Sequence, residues 1–131
     1  MNNNKEIGNL GENIACGYLL NKHWMILERN YRRKSDEIDI IARSNDGTLV
    51  FCEIKAFSVG TIKRGKADFS RLIPEDNLTA AKLRKISRTC EFFARQHSEL
   101  INEERGWRID LLAIDIGANG KALDIRHYEN I

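Results

Sequence analysis

The segment Ser35–Phe57, SDEIDIIARSNDGTLVFCEIKAF, contains two apolar runs separated by the polar sequence Asn45–Gly47. Alternating apolar residues on both sides of a turn rich in Asn, Asp and Gly predict a β-hairpin with strands over 36–43 and 48–56. Charged residues nevertheless occur within both strands. Because strands that pack against a core are mainly apolar, the position of these charges is the first feature to explain.

The length of the turn determines which residues of the hairpin lie opposite each other. A two-residue loop would place Asp39 opposite Ile54, whereas a three-residue loop over Asn45–Gly47 places Asp39 opposite Glu53. The three-residue loop also puts glycine in the last position, where a bulge requires a left-handed backbone. We therefore predict this loop, which divides the hairpin into a charged face and a wholly apolar face. The charged face holds Glu37 opposite Lys55 and Asp39 opposite Glu53, and the apolar face holds Ile38, Ile40, Cys52 and Ile54.

Two carboxylates that face each other across paired strands need a compensating charge. Their Cβ atoms lie roughly 4.5–5.5 Å apart, and two ionised groups at that spacing repel unless one takes a proton or a cation lies between them. Carboxylate oxygens are hard ligands suited to Mg²⁺ or Mn²⁺, and a neighbouring lysine is able to orient a water nucleophile. The pattern Asp39, Glu53, Lys55 therefore indicates a metal-dependent catalytic site. The structural alternative is a buried salt-bridge cluster of these residues with Glu37.

The remainder of the chain predicts one domain, 1–131, with two helices and five strands. Apolar residues recur at helical spacing over 6–22 and again over 77–98. The order helix, three strands, helix, two strands is that of a mixed α/β sandwich with a central sheet. The strands outside the hairpin are predicted over 24–31, 107–116 and 122–128.

Composition and cysteine content exclude several classes of protein. Charged residues make up 31% and hydrophobic residues 42% of the chain, as in soluble globular proteins. No apolar run approaches the length of a membrane span, and the N-terminal sequence MNNNK has no signal-peptide features. The three cysteines are widely spaced within apolar patterns, so we expect buried thiols rather than disulfides or a zinc site. A protein of the reducing cytoplasm, without a membrane partner, is therefore expected.

Basic residues are clustered although the net charge is only +2. The segment 58–74 contains two glycines and the only proline, which predicts a mobile basic loop. Each cluster alone is typical of a solvated surface, but three clusters around a group of acidic residues favour a phosphate-rich partner. The clusters are Arg29, Arg32, Arg33 and Lys34 before the hairpin, Lys63, Arg64, Lys66 and Arg71 after it, and Lys82, Arg84, Lys85 and Arg88 on the predicted second helix.

A set of ordered motifs extends over about residues 6–128 and resembles a known family. The motifs are GNLGENIACGYL, ERNYR, DEIDIIAR, LVFCEIK, LTAAKLRKI and WRIDLLAI. They resemble the YraN-type family of small bacterial proteins, predicted endonucleases that are similar to archaeal Holliday junction resolvases of the PD-(D/E)XK nuclease superfamily. The resemblance implies a restriction-endonuclease-like αβββαβ core, with a mixed central sheet flanked by helices.

The resemblance also implies roles for individual residues. Asp39 and Glu53 would bind Mg²⁺ or Mn²⁺ together with the backbone carbonyl of Ile54, and Lys55 would position or polarise the attacking water. Glu12, on the first helix, would be an additional acidic catalytic residue. No small-molecule cofactor is implied.

Other family positions leave alternatives open. Glu37 would lie on the charged face, where it either binds metal or pairs with Lys55 or an arginine. Lys82 is either a phosphate contact or a solvated helix lysine, and Asp110 is expected to be structural and to pair with an arginine. The chain departs from the family's usual sequence at Asp36 and at Ala56-Phe57. These positions concern substrate contacts rather than the catalytic residues Asp39, Glu53 and Lys55. The residues expected to bind nucleic acid are Arg32, Arg33, Lys34, Lys63, Arg64, Lys66, Lys82 and Lys85.

The expected activity is hydrolysis of phosphodiester bonds in DNA, including branched DNA such as a Holliday junction. A four-way junction has approximate two-fold symmetry, so a homodimer is expected on that substrate. A non-catalytic nucleic-acid-binding protein with the same fold is the main alternative. A structural or adaptor protein whose charges form only salt bridges is a further one.

Overall fold

The computed structural model describes residues 4–59 and 79–131, and these fold in the predicted order of one helix, three strands, one helix and two strands. This arrangement confirms the mixed α/β class and the αβββαβ core, with one strand added at the end. Most of the basic loop predicted at 58–74 lies outside the described residues. The elements are α1 (Asn4–Asn21), β1 (Met25–Arg33), β2 (Asp36–Arg43), β3 (Leu49–Ser58), α2 (Ala80–Gln96), β4 (Trp107–Ile116) and β5 (Ala122–Tyr128).

The five strands form one mixed sheet in the order β1-β2-β3-β4-β5. Neighbouring strands are antiparallel except β3 and β4, which run parallel. Parallel neighbours need a crossover connection, and α2 lies in the chain between these two strands. The second strand of the predicted hairpin, β3, is therefore the central strand of the sheet. Its ladder with β4 is the longest of the four.

The two helices pack on opposite faces of the sheet and create two apolar cores. On the α1 side, Leu19 packs with Val50 of β3, and both are fully buried. On the α2 side, Phe93 packs with Phe51 and Ile41. The rings of Phe51 and Phe93 meet edge to face with centroids 5.8 Å apart, a favourable aromatic geometry. In the part of the chain that the structure describes, no helix is long and apolar enough to cross a membrane.

The predicted division of the hairpin into a charged and a wholly apolar face is only partly correct. Ile41 and Phe51, which lie on the face predicted to carry the charges, are fully buried against α2. Both faces are therefore apolar near the turn, and the charges occupy the opposite end of the hairpin. Ile38 was predicted to lie beside Ile40 but packs in the core on the other side of the sheet.

The predicted three-residue turn and its register are confirmed. Gly47 has a φ of +90°, and its N–H donates to the carbonyl of Ser44 at 3.0 Å. The Ser44 N–H in turn donates to the carbonyl of Thr48 at 3.0 Å. The ladder pairs Ile40 with Cys52, as counting back from this turn requires. Glycine is favoured here because an L side chain destabilises a left-handed backbone.

Helix α1 lies very close to β3 at Gly11, where a Cβ atom would lie only 2.6 Å from the Cβ of Ala56. Two small residues therefore allow the contact that brings the next residue, Glu12, to the sheet. We expect Gly11→Val to lower the free energy of unfolding by about 1–3 kcal/mol because the added side chain overpacks this contact. Chemical denaturation would measure the change. Gly17→Val is the control, because no atom lies within 4 Å of a Cβ at Gly17, and equal stability of the two variants would contradict the prediction.

Candidate active site

Strands β2 and β3 separate beyond their last ladder pair, Ile40 with Cys52. β3 remains paired with β4 as far as Ser58, and over this second half no strand of residues 4–59 and 79–131 pairs with its other edge. In this gap the Oδ2 atom of Asp39 accepts a hydrogen bond of 2.8 Å from the N–H of Ile54. The predicted register is thus correct, but a carboxylate, rather than a backbone ladder, connects the two strands at this point.

A left-handed residue in β1 reverses the alternation of its side chains. Arg29 reaches Glu12 on α1, with 3.8 Å between Nη2 and Oε1. Tyr31, two residues later, meets the ring of Phe93 on α2. Regular alternation would place both side chains on one face. Asn30, which lies between them, has a φ of +54°, and the strand changes faces there.

The same change of faces occurs in β2 and directs Asp39 toward β3. Arg29 pairs with Ile40 and Tyr31 with Ile38, so Asp39 lies opposite Asn30. Ile38 and Ile40 pack in different cores, which corrects the prediction that they share a face. Because Asp39 lies between these two isoleucines, its side chain points along the sheet and reaches the backbone of β3.

The backbone carbonyl of Ile54 faces the same gap. In a β-strand, the N–H and C=O of one residue leave the backbone on the same side, as in a hydrogen-bonded antiparallel pair. The Ile54 N–H points toward β2, where it meets Asp39. Its carbonyl therefore also points toward Asp39, beyond the end of the β2–β3 ladder. This geometry supports the predicted grouping of Asp39 with the Ile54 carbonyl.

Glu53 brings a buried carboxylate to the site. Its Oε1 atom is buried and has no hydrogen-bond partner among the described residues. Burial and the negative charge of Asp39 raise the pKa of Glu53 to about 8, against the opposing attraction of Lys55. The charge of Glu53 also adds to the effect of burial in raising the pKa of the Cys90 thiol, which indicates that Glu53 lies on the α2 side. An unpartnered buried oxygen is costly, and a cation or a hydrogen-bond donor at this position would remove that cost.

Asp39 is the more acidic of the two carboxyl groups. Burial raises its pKa to about 6, while the hydrogen bond from Ile54 N–H opposes the shift. The charges of Glu12 and Glu37 raise it further, and Lys55 lowers it. In the metal-free protein at neutral pH, the two coupled groups therefore keep a proton that ordinary carboxyl groups would lose. The two groups thus carry roughly one proton between them near pH 7, instead of two opposed negative charges.

Glu12 and Glu37 lie side by side next to the gap and share a hydrogen-bond donor. When the side-chain amide of Asn30 is oriented with its nitrogen toward them, it donates to Glu12 Oε1 at 3.0 Å and to Glu37 Oε2 at 3.2 Å. Burial, the largest contribution, raises the pKa of Glu12, and the charge of Glu37 adds to it, while Arg29 and Asn30 oppose it. Glu37 also pairs with Arg32, with 3.6 Å between Oε2 and Nε, so an arginine is one of its partners.

A cleft of about 280 Å³ opens between the separated strands and α2. Glu53 and Lys55 line it from β3, and the exposed lysines Lys82 and Lys85 line it from α2. The positive charge of Lys55 lowers the pKa of both Asp39 and Glu53, which indicates that its ammonium group lies close to them. The cleft thus combines an acidic floor with a basic rim, as a phosphate-binding metal site requires.

The other predicted nucleic-acid-binding residues differ in their surroundings. Arg33 stacks its guanidinium 3.9 Å from the centroid of the Phe92 ring on α2, so this side chain is held by the protein itself. Arg32 is exposed but pairs with Glu37, and Lys34 is exposed in the turn that joins β1 to β2. Lys63, Arg64 and Lys66 lie outside the described residues.

The donor atoms fit a hard divalent cation. Two carboxylates and a main-chain carbonyl are the oxygen ligands that Mg²⁺ and Mn²⁺ prefer, and the unpartnered Oε1 of Glu53 leaves one position for such a bond. Among residues 4–59 and 79–131, no group of three His, Cys, Asp or Glu side chains is arranged to hold a metal. Water or substrate oxygens would therefore have to complete the coordination.

The comparison with known proteins agrees with the extent of this fold. A model of the uncharacterised protein family UPF0102 matches residues 11–114, which include all of the residues that form the gap. The chain belongs to UPF0102. A UPF0102 protein of Dictyoglomus turgidum is 32% identical over 128 residues and covers 98% of both chains. One of Alkaliphilus oremlandii is 35% identical over 127 residues, with 97% of both chains covered. One of Geotalea daltonii is 40% identical over 114 residues, which are 86% of this chain and 79% of the relative.

The UPF0102 match extends into β4, where Asp110 has a structural role as predicted. Asp110 is fully buried and accepts hydrogen bonds from Arg108, from His127 and from the N–H of Asn130. Its pKa is lowered, because these donors outweigh the effect of burial. The interactions tie β4 to β5 and to the C-terminal residues, on the side of α1 and away from the cleft.

Asn30 is the residue of this site that the sequence analysis missed. It belongs to the motif ERNYR, and asparagine is the non-glycine residue that most often adopts a left-handed backbone. An asparagine in the middle of a strand was thus an available signal for a break in the alternation. Gly11 was missed as well, since nothing in the helical pattern shows how closely α1 approaches β3.

Proposed function

We propose that this protein is a divalent-metal-dependent DNA endonuclease that hydrolyses phosphodiester bonds, with branched DNA among its substrates. The observation that carries the proposal is the buried Oε1 of Glu53, which has no partner among the described residues and lies beside Asp39 where two strands separate. In a stable buried salt-bridge cluster this oxygen would need a partner, and none of the described residues supplies one. The family resemblance, with its similarity to resolvases, supports the same assignment.

Asp39, Glu53 and the carbonyl of Ile54 would hold the cation. When bound there, Mg²⁺ or Mn²⁺ supplies Lewis acidity, which polarises a phosphodiester and lowers the pKa of a water molecule. Burial and the nearby carboxylates raise the pKa of Glu53. Glu53 would lose its proton on loading, because the positive charge of the cation would lower this pKa again. The bond from the Ile54 N–H holds Asp39 against the backbone of β3, and this bond would orient the carboxylate toward a bound cation.

Lys55 would act on the nucleophile or on the developing phosphate charge. It lines the cleft from the same strand as Glu53, two residues further along. An ammonium group in that position is able to orient a water molecule and to offset negative charge in the transition state. Lys82 and Lys85, on the rim, would bind phosphates that flank the scissile bond, which is the sequence-independent part of DNA binding.

A cleavage assay on linear, flapped and four-way DNA with Mg²⁺ and with Mn²⁺ tests the proposal. We expect cleavage by the wild type and losses of about 10³-fold or more in Asp39→Ala, Glu53→Ala and Lys55→Ala, since each removes a group from the reacting centre. Glu91→Gln is the control, because Glu91 is exposed on α2 and pairs only at the surface with Arg95.

The outcomes separate the competing functions. Activity that survives all three substitutions would reject the site. Salt-sensitive DNA binding without cleavage in either metal would favour a non-catalytic binding protein. If four-way DNA is the preferred substrate, the active species should be a homodimer, which light scattering of the complex would reveal.

A further inference from the structure

We propose that Asn30 is a positioning residue of this site, which holds Glu12 and Glu37 together through its side-chain amide and directs Asp39 toward β3 through its left-handed backbone. The inference rests on the proposed nuclease function and adds to it a residue that contacts neither the cation nor the substrate. Asn30 acts through three carboxylates on two elements, α1 and β2. It is therefore distinct from the residues that would hold the cation.

The side chain of Asn30 is the donor that reaches both outer carboxylates. An amide nitrogen carries two hydrogens and is able to serve two acceptors at once. The distances from Asn30 to Glu12 and Glu37, 3.0 and 3.2 Å, are those of hydrogen bonds. The neighbouring arginines lie further away, at 3.8 Å from Glu12 and 3.6 Å from Glu37, and each contacts one carboxylate of the pair. Without the amide, no donor would bridge the two carboxylates, and only one arginine on each side would oppose their repulsion.

The backbone of Asn30 has a separate effect. Its φ of +54° lies in the left-handed region, and it lies opposite Asp39 in the β1–β2 ladder. Side chains on both strands change faces at this position, as Ile38 and Ile40 show. A regular ladder would send Asp39 to one face of the sheet, away from the N–H of Ile54. Asparagine thus meets two requirements at one position, since glycine would satisfy only the backbone.

The contribution to function is expected to be larger than the contribution to folding. Asn30 is exposed, and its side chain belongs to neither apolar core. The amide of Asn30 contacts Glu12 and Glu37, whose charges act on Asp39. For a group that orients carboxylates around a metal site, a loss of activity of about 10- to 100-fold on removal is typical. We expect this range in kcat, with little change in KM, because the DNA contacts on the cleft rim do not involve Asn30.

Three variants separate the two roles of Asn30. Asn30→Gly keeps the left-handed backbone and removes the amide, so kcat should fall about 10- to 100-fold while KM and the melting temperature stay close to wild type. Asn30→Asp keeps the shape but places a third carboxylate between two others, so kcat should fall further. Asn30→Val should lower both kcat and the melting temperature, because a β-branched residue is strained at positive φ.

A double-mutant cycle tests whether Asn30 acts through Glu12. If it does, Asn30→Gly should cause little further loss in a Glu12→Gln background. An equal loss in both backgrounds, or a wild-type kcat for Asn30→Gly, would overturn the proposal.

Nuclear magnetic resonance of the metal-free protein provides a measurement that does not depend on activity. The side-chain amide signals of Asn30 should shift in Glu12→Gln and in Glu37→Gln but not in Glu91→Gln. Asn30 amide signals that stay unchanged in both Glu12→Gln and Glu37→Gln would contradict the bridge between the carboxylates. If the bridge is observed but the wild type cleaves no DNA, the nuclease function fails and the geometry stands. If the wild type cleaves and Asn30→Gly retains its kcat, the positioning role fails and the nuclease function stands.

Discussion

Replacement of Glu53 by glutamine is expected to raise the melting temperature of the metal-free protein at pH 8.5 by about 5–10 °C, although it removes a residue of the candidate site. Burial and the charge of Asp39 raise the pKa of Glu53 from 4.5 to about 8, so ionised Glu53 destabilises the folded state. Glutamine has nearly the same shape and cannot ionise. A site that is prepared for a cation is thus unfavourable without one.

The sign of the pH dependence follows from the direction of the shift. A carboxyl group with a raised pKa holds its proton in the folded state after the unfolded chain has lost it, so stability falls as pH rises. For Glu53 the loss begins near pH 4.5 and is complete above about pH 8, and Asp39 contributes between about pH 4 and 6. We expect a contribution of about 2–4 kcal/mol from Glu53 at pH 8.5, and little near pH 5.

Thermal unfolding of both proteins in EDTA at pH 5 and at pH 8.5 measures this difference. The gain of Glu53→Gln over wild type should be large at pH 8.5 and small at pH 5. Glu91→Gln is the control, because Glu91 is exposed on α2 and pairs only at the surface with Arg95, so its loss should not stabilise the protein at either pH. A Glu53→Gln variant that melts below wild type at pH 8.5, or one with equal gains at both pH values, would contradict the interpretation.

The parts of the site that were predictable from the sequence depend on local rules. Gly47 at the end of a three-residue turn fixed the register of the hairpin, and the register placed Asp39 near Glu53. Helical spacing in α1 placed Glu12 beside the buried residues Ala15 and Leu19, at the edge of the core. Each of these inferences required only the period of a helix or strand and one turn residue.

The parts that were not predictable depend on departures from those periods. Strict alternation placed Ile38 beside Ile40, but the left-handed backbone at Asn30 moves Ile38 to the other core. Counting along strands also cannot show where a ladder ends, so the gap beyond Cys52 was not anticipated. Both departures occur at the candidate site, where a regular sheet would have paired every backbone group and left no room for a ligand.

The divalent cation should bind with a steep dependence on pH. Between pH 8 and pH 5.5 we expect the dissociation constant of Mn²⁺ to weaken roughly 100- to 1,000-fold, because protons compete for Glu53 and, at the lower pH, for Asp39. Their pKa values of about 8 and about 6 mean that both groups are ionised in only a small fraction of the metal-free protein at pH 5.5. At pH 7, binding should release about one proton, mainly from Glu53.

Isothermal titration calorimetry in buffers with different ionisation enthalpies measures both the affinity and the number of protons released. At a free Mn²⁺ concentration 100-fold above the dissociation constant, binding should stabilise the wild type by about 2.7 kcal/mol, and Asp39→Asn should lose this effect. Glu53→Gln should bind weakly and release almost no proton at pH 7. It should therefore be less stable than loaded wild type at alkaline pH, although it is more stable there than the metal-free wild type. An affinity that does not change with pH, or equal binding by Asp39→Asn, would show that Mn²⁺ binds elsewhere and that the raised pKa values serve another purpose.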